Sequence, residues 1–597
     1  MMTQTVPWSP PAQAGTLPRR RWPASVAVGQ LGPWRGAAIQ RTVFIEATTI
    51  GDLVDRQGTR SDREALVFPD ARVTYAQLVE LTDDFARSLC ALDVGPGDKV
   101  GILMPNCLDF VVALIATTKI GAVAVPVNGR LRTHDLGQVI GHADVRVLLT
   151  QAGPEGTVDY PELITQVFLD LAEGDSKSLN LELAPSLRNI VDLGGSQLPG
   201  MMDRDAFESA ASRVSLDSVK VRQERVRLRD IALLMYTSGT TSRPKGCLLT
   251  HEAIVRHGRS VALNRFALDA DDRFWDPLPL FHIGGIVPML GTFAVGATYY
   301  HAGHFDPTQA LDTLERERIT VAYPAFETIW LGVLNHPRFA EADLSALRLI
   351  QNIAVPERLV QMQKALPSAI EVSSFGSTES SSNLTLTRSD DDYDARMHTL
   401  GHPLPGVEVR IEEPGTGREC AVDEVGELLF RGYMLFEGYY KEPELTAEAI
   451  DADGWFHSGD LAALDRDGRL IYAGRLKDML KVGGENVSAV EVESFLAGHP
   501  AVEIVNVVGA PDARYGEVPA AFVQVRDGAT LDEQELIEFC VGRIATYKIP
   551  RYVRVVHEWP MSGTKIQKFV LRERIAVELA ERGVTEAPKI VTNRTLA

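Results

Sequence analysis

Residues 231–246 read Ile231-Ala-Leu-Leu-Met-Tyr-Thr-Ser-Gly-Thr-Thr-Ser-Arg-Pro-Lys-Gly246. An apolar strand runs into a loop crowded with Thr237, Ser238, Gly239, Thr240, Thr241 and Ser242. Glycine permits positive φ and close approach, so successive backbone N–H groups can converge on an anion. The hydroxyls add donors to phosphate oxygens, and Lys245 adds a positive charge. This is not a Walker loop: Pro244 stands where the second glycine belongs, and Gly246 follows the lysine. The competing reading is a Ser/Thr-rich surface turn. The apolar strand before the loop and the Pro-Lys-Gly after it argue against that.

Upstream of this loop the chain alternates between helical and extended patterns. Thr74 followed by Gln77 makes a capping box, after which Leu78, Leu81, Phe85, Leu89 and Leu92 recur at helical spacing. Gly95-Pro96-Gly97 stops that helix and Val100 to Met104 follows as a short strand. A helix over 107–118 and a strand over 122–127 repeat the theme, which predicts parallel sheets covered on both faces. From Gly417 the texture changes to short strands with glycine turns, at 426–431 and 468–473. Beyond Gly474 comes a compact, charge-rich α+β stretch. The expected organisation is an N-terminal extension over 1–43, a large α/β domain over 44–474 and a small α+β domain over 475–597.

Bulk properties narrow the function. A chain of 597 residues is too long for one core. The net charge of −20 argues against a nucleic-acid binder, which needs a basic face to displace counterions. The five cysteines are scattered with no CxxC, a pattern of reduced thiols in a cytoplasmic protein. The most apolar stretch, Phe110 to Val127, is broken by Lys119, Gly121 and Pro126, and so reads as a helix entering a buried strand, since a membrane span needs about 20 apolar residues. Residues 1–43 hold six prolines and five arginines, and the first acidic residue is Glu46. This composition predicts disorder, with an organelle-targeting segment as the alternative.

Tyr236-Thr-Ser-Gly-Thr-Thr-Ser-Arg-Pro-Lys-Gly246 resembles the signature loop of AMP-forming adenylating enzymes, and further motifs follow in that family's order. Ser373-Ser-Phe-Gly-Ser-Thr-Glu379 is similar to the family segment whose aromatic packs on adenine, whose Thr lies near the α-phosphate and whose Glu binds magnesium. These roles fall on Phe375, with Gly376 beside it, on Thr378 and on Glu379, with Thr240 as a second metal candidate. A carboxylate combined with phosphate oxygens is what Mg²⁺ prefers. Gly454-Trp-Phe-His-Ser-Gly-Asp460 resembles the segment whose Asp accepts both ribose hydroxyls. Gly474-Arg-Leu-Lys-Asp-Met-Leu-Lys-Val-Gly-Gly-Glu-Asn-Val-Ser488 looks like the inter-domain hinge. There the resemblance implies ribose or phosphate contact for Arg475, a pivot at Lys477, and assistance to the thiol step by Lys481. It also implies a pantetheine path along Gly483, Gly484 and Glu485. Pro560-Met-Ser-Gly-Thr-Lys-Ile-Gln-Lys568 resembles the segment carrying the adenylation lysine, which aligns on Lys565. Thr564 replaces the family's glycine there, so Lys568 is a second candidate.

The resemblance implies an acid–thiol ligase: ATP, Mg²⁺ and a carboxylic acid give an acyl-adenylate, and coenzyme A then takes the acyl group. It further implies a fold with parallel and mixed sheets, a distorted β-barrel and a mobile small domain. The acyl pocket is expected from His282, Phe326, Trp330 and Ile353. Ile353 replaces a small residue of many relatives, which points to a short, medium or compact acyl group. The closest look is to crotonobetaine/carnitine-CoA ligases, with medium-chain, cyclic and aryl acid ligases equally open. Alternatives are a protein that loads a carrier protein, a luciferase-type oxygenase and an inactive scaffold. A homodimer is open, and the sequence leaves the oligomeric state undecided.

Overall fold

The computed structural model describes residues 47–58, 62–153, 158–173, 178–237, 244–482, 485–562 and 565–590. The expected extension over 1–43 lies outside the described residues.

Helix Tyr75–Ala91 starts as the sequence predicts. The Thr74 side chain accepts from the Gln77 amide while the Gln77 side chain accepts from the Thr74 amide, closing the capping box. Leu78, Phe85 and Leu89 are buried, but Leu81 is 40% exposed, so the apolar stripe is narrower than its spacing suggests. Helix Leu108–Lys119 is buried from Phe110 to its end and leads into strand Val123–Pro126, as the stretch Phe110 to Val127 predicts. Lys119, with no exposed surface, closes that helix on Asp55 and Asp83 at 2.7 and 2.6 Å. A buried cation needs such partners.

Two sheets form the bulk. One has seven strands, in the order 370–372, 349–353, 321–326, 273–275, 298–300, 64–68 and 71–74, all parallel but for the last pair. The other has eight, in the order 438–439, 245–250, 231–237, 123–126, 99–103, 145–150, 189–192 and 202–203. Its first two pairings are antiparallel and the rest parallel. Strands Ile231–Thr237 and Lys245–Thr250 pair directly, so the hydroxyl-rich loop joins the arms of a β-hairpin and does not open a helix as a Walker loop does.

One apolar core runs through both sheets and the helices between them. Helices His251–Asn264 and Ile283–Val295 cross at Gly258 and Gly291. A methyl group on Gly258 would lie 2.6 Å from the Val287 carbonyl oxygen, and one on Gly291 would lie 2.5 Å from that of Gly258.

Where a distorted β-barrel is expected, the described strands form two antiparallel sheets. Three strands lie at 374–377, 382–386 and 402–403, and four at 407–412, 426–432, 456–464 and 470–475. The smaller C-terminal domain has its own apolar cluster from Leu480 to Leu579. Its five-stranded sheet is centred on the hairpin of strands Val502–Asp512 and Gly516–Val525. Helices Ala489–Ala497 and Lys568–Glu581 pack on this hairpin.

Gly291→Ala is expected to cost about 1–3 kcal/mol, because the added methyl meets backbone that cannot swing aside. Gly95→Ala, whose methyl meets only the Asp98 carboxylate at 3.8 Å, should change stability by less than about 0.5 kcal/mol. Chemical denaturation of the two variants beside the parent checks the contrast.

Candidate active site

Parallel strands all end on one side, and ligands of such sheets bind beyond those carboxyl ends. Phe326 ends one strand of the seven-stranded sheet and pairs with Ile353 at the end of its neighbour. Thr237 ends a strand of the eight-stranded sheet and pairs with Lys245 on the return arm. Ser238, Gly239, Thr240 and Thr241, between them, lie outside the described residues.

The segment 374–386 folds back as a hairpin. A Cβ on Gly376 would stand 2.0 Å from the Ser382 carbonyl oxygen, so only glycine fits at this position. Ser381 and Ser382 take φ of 55° and 92°, a left-handed strain that must be held by neighbours. The serines supply that hold. The Ser380 hydroxyl accepts from the Ser377 amide at 2.8 Å and donates to the Ser382 carbonyl at 2.8 Å, and Ser381 donates to the Met434 carbonyl at 2.6 Å. Thr378 and Glu379 lie in this turn, both half-buried.

Glu379 meets two partners from one segment. Its carbonyl accepts the Phe436 amide at 3.0 Å, and its Oε1 accepts the Tyr439 hydroxyl at 3.1 Å. Lys245 Nζ sits 5.3 Å from the centre of the Tyr439 ring. Burial, and after it the Glu379 charge, raises the Tyr439 phenol far above its ordinary range, so Tyr439 remains a neutral donor.

Asp460 is 4% exposed and heads a second cluster. It pairs with Arg475 across strands 456–464 and 470–475, and Arg475 Nε lies 3.1 Å from Asp460 Oδ1. The Tyr472 hydroxyl donates to the same oxygen at 3.3 Å. Burial lowers the proton affinity of Arg475, but Asp460 and its neighbours outweigh that and raise it. The Tyr472 ring lies against Phe375, centroids 5.8 Å apart at 32°. The structure thus brings Phe375, Asp460 and Arg475 together from separate segments, and Phe375 shares its hairpin with Glu379.

His282 is the half-buried N-cap of helix Ile283–Val295, its ring 4.7 Å from that of Phe281. Ile353 is 37% exposed, while Trp330 is fully buried in the core with its indole nitrogen lacking a partner among the described residues. Lys481 is exposed on strand Leu480–Val482 and donates its amide to Glu517 Oε1 at 2.6 Å. Glu485 is exposed on the paired strand. Gly483 and Gly484 lie outside the described residues. Lys477 belongs to the helical turn Leu476–Asp478, and the backbone of Lys565 pairs with Ser562; their side chains lie outside the description. Lys568 is bound to the buried carboxylate of Glu493 at 2.6 Å.

Sequence reasoning missed Tyr439, Tyr472 and the serine run 380–382. The tyrosines stand in Gly438-Tyr-Tyr440 and two residues before Gly474-Arg475, so their aromatic character among glycines was the available signal.

The AMP-binding enzyme family matches residues 54–440, and the AMP-binding enzyme C-terminal domain matches 491–565. A Bacillus subtilis protein named as an acyl-CoA synthetase, YngI, is 37% identical over 535 residues, 88% of this chain and 97% of that protein. The mitochondrial medium-chain acyl-CoA ligase ACSF2 of Rattus norvegicus is 31% identical, over 89% of this chain and 88% of that protein. Among solved structures, the anthranilate CoA ligase AuaEII in complex with anthranoyl-AMP superposes with a TM-score of 0.79. It is 26% identical and covers 89% of this chain and 98% of that one. Among the described residues no helix is long and apolar enough to cross a membrane. With both domains matched and relatives above 30% identity over nearly their whole length, the chain belongs to the AMP-binding enzyme family as an ATP-dependent, AMP-forming acyl-CoA synthetase.

Proposed function

We propose that the acid activated is of medium length or a compact ring acid, and that the residues gathered above carry the two half-reactions. The observation that supports the assignment most is the meeting of Phe375, Tyr472, Asp460 and Arg475, with Phe375 on the same hairpin as Glu379, which Tyr439 ties to the arm of Lys245. Phe375 and Tyr472 offer adenine a flat apolar wall. Asp460, an anion held by a guanidinium and a phenol, accepts hydrogen bonds from the ribose hydroxyls. Thr237 to Thr241 and Lys245 cradle the phosphates, with Gly376 and Thr378 close to the α-phosphate.

Mg²⁺ fits this donor set. The cation favours one or two carboxylates with phosphate oxygens, and Glu379 offers one carboxylate on the hairpin of Phe375 and Thr378. Glu379, with Thr240, would hold it, and its charge would offset that developing on the pyrophosphate. Tyr439 fixes the Glu379 carboxylate without adding a competing cation.

Lys565 lies between the acid carboxylate and the α-phosphate in the first step and spreads the charge of the in-line displacement. The pairing of Lys568 with Glu493 supports Lys565 in that role, since Lys568 is already spent within the small domain. The small domain, taken as 475–597, then turns about Lys477 and presents Lys481, Gly483, Gly484 and Glu485 to coenzyme A. Phe326 and Ile353, side by side at their strand ends, narrow the acyl site with His282, and Trp330 backs that wall. ACSF2 is named for medium-chain acids and AuaEII for anthranilate, which supports both arms of the substrate reading. Five free cysteines support a reduced, cytoplasmic setting.

Pyrophosphate release from ATP, measured with a panel of short, medium, long, aryl and amino acids with and without coenzyme A, tests the reading. Repeated turnover only with coenzyme A, and greatest with medium or ring acids, is expected. A preference for long chains or amino acids would overturn the substrate class. Tyr439→Phe removes a hydrogen bond to a charged group, about 1.5–3 kcal/mol, and should lower kcat/KM about 10- to 100-fold. Lys565→Ala should abolish adenylation yet leave thioester formation from supplied acyl-adenylate. Lys568→Ala should instead destabilise the protein by about 3–5 kcal/mol, because Glu493 is left buried and unpaired.

A further inference from the structure

Helix Pro356–Ala365 begins three residues after Ile353 and faces the C-terminal domain. Its first turn holds Arg358, only 2% exposed. Nη1 donates to Gln361 Oε1 at 2.7 Å, Nε lies 3.9 Å from Glu327 Oε2, and Nη2 donates to the Val502 carbonyl of the C-terminal domain at 3.2 Å. A cation in the first turn of a helix opposes the helix dipole, and burying it forfeits hydration. Within the large domain, among the described residues, only the Gln361 side chain, one turn on, and the more distant Glu327 carboxylate offset these costs. The guanidinium fork instead gains by spanning two domains, with two arms braced inside the large one.

Glu327 follows Phe326 directly. Its Oε2 is buried and accepts no hydrogen bond among the described residues. This carboxyl is raised to about 7, chiefly by burial, with Arg358 pulling it down and Glu493 of the C-terminal domain adding to the rise. The same helix receives two more contacts from that domain. Ser494 donates to the Glu357 carboxylate, and Arg526 Nη2 donates to Gln361 Oε1 at 3.3 Å.

We propose that Arg358 is a positioning residue that docks the C-terminal domain onto the two strand ends of the acyl wall, and so sets the balance between adenylation and thiol transfer. The proposal rests on the reading above in which that domain turns between the half-reactions. Glu327 is chain neighbour to Phe326, and Arg358 is five residues from Ile353. A bound acyl group that shifts either wall residue therefore shifts one half of the Glu327–Arg358 pair. Rotation of the domain must break the bond from Arg358 to Val502, whichever half-reaction this orientation serves.

The test measures two single-turnover rates in the full chain: acyl-adenylate formation from acid and ATP, and thioester formation from supplied acyl-adenylate and coenzyme A. Arg358→Ala should change the ratio of the two rates by at least about fivefold, the scale of a coupling between domain states. Arg358→Lys, which keeps the charge but loses the fork, should do the same. Glu327→Gln, which keeps the volume, should move the ratio in the same direction by a smaller factor and guards against misfolding of the arginine variants. Trypsin cleavage within 475–482, which includes the exposed Lys481, should become several-fold faster in Arg358→Ala. Equal changes in both rates would make Arg358 merely structural and overturn the proposal. If no acid is adenylated by the parent, the functional reading fails instead. Proteolysis then decides the docking role alone, and unchanged cleavage overturns it.

Discussion

The carboxyl ends of parallel strands must lie on one edge of their sheet, and this site is built on that constraint. Phe326 and Ile353 end adjacent strands of one sheet, and Thr237 ends a strand of the other. Antiparallel additions then close the site. The return arm beginning at Lys245 carries strand Gly438–Tyr439 on its far side, and Tyr439 reaches across to Glu379. One phenol hydrogen bond thus links the hairpin of the phosphate loop to the strained turn that holds Thr378 and Glu379.

The two buried or half-buried acids at the site differ through their neighbours. Asp460 shares one oxygen between a guanidinium and a phenol, which stabilises it as an anion. Glu379 has a phenol and no cation within ion-pair distance among the described residues, while Lys245 lies against the ring of that same phenol. An anion already compensated by Arg475 suits neutral diol donors, whereas an uncompensated one suits a cation. The overall charge of −20 has no bearing on this contrast, because exposed charges are screened beyond about 10 Å.

Helix Pro356–Ala365 links acyl recognition to domain arrangement. It starts just beyond Ile353, and its Glu357, Arg358 and Gln361 face the C-terminal domain. Packed interiors transmit small displacements because they have no slack. The crossing of helices at Gly258 and Gly291, where backbone touches backbone, gives the large domain the same stiffness.

The sequence by itself determined the alternating strand–helix order, the capping box at Thr74 and Gln77, the buried course from Phe110 to Val127, and the order of motifs that marks the family. These are local: spacing, glycine placement and hydroxyl content act within a few residues. Sequence reading left Leu81 on the buried stripe, missed Tyr439 and Tyr472, and kept Lys568 as a second candidate behind Lys565. Tertiary structure exposed Leu81, set Tyr439 and Tyr472 on acidic partners, and paired Lys568 with Glu493. Tyr439 is 60 residues from Glu379, and Lys568 is 75 from Glu493, so neither contact leaves a periodic trace in the chain. Hydrogen bonds and ion pairs of that kind depend on which distant segments the fold brings together. Tyr439 lies on an antiparallel strand that meets the 374–386 hairpin, and Glu493 and Lys568 lie on two helices packed on one hairpin, so only the folded chain specifies them.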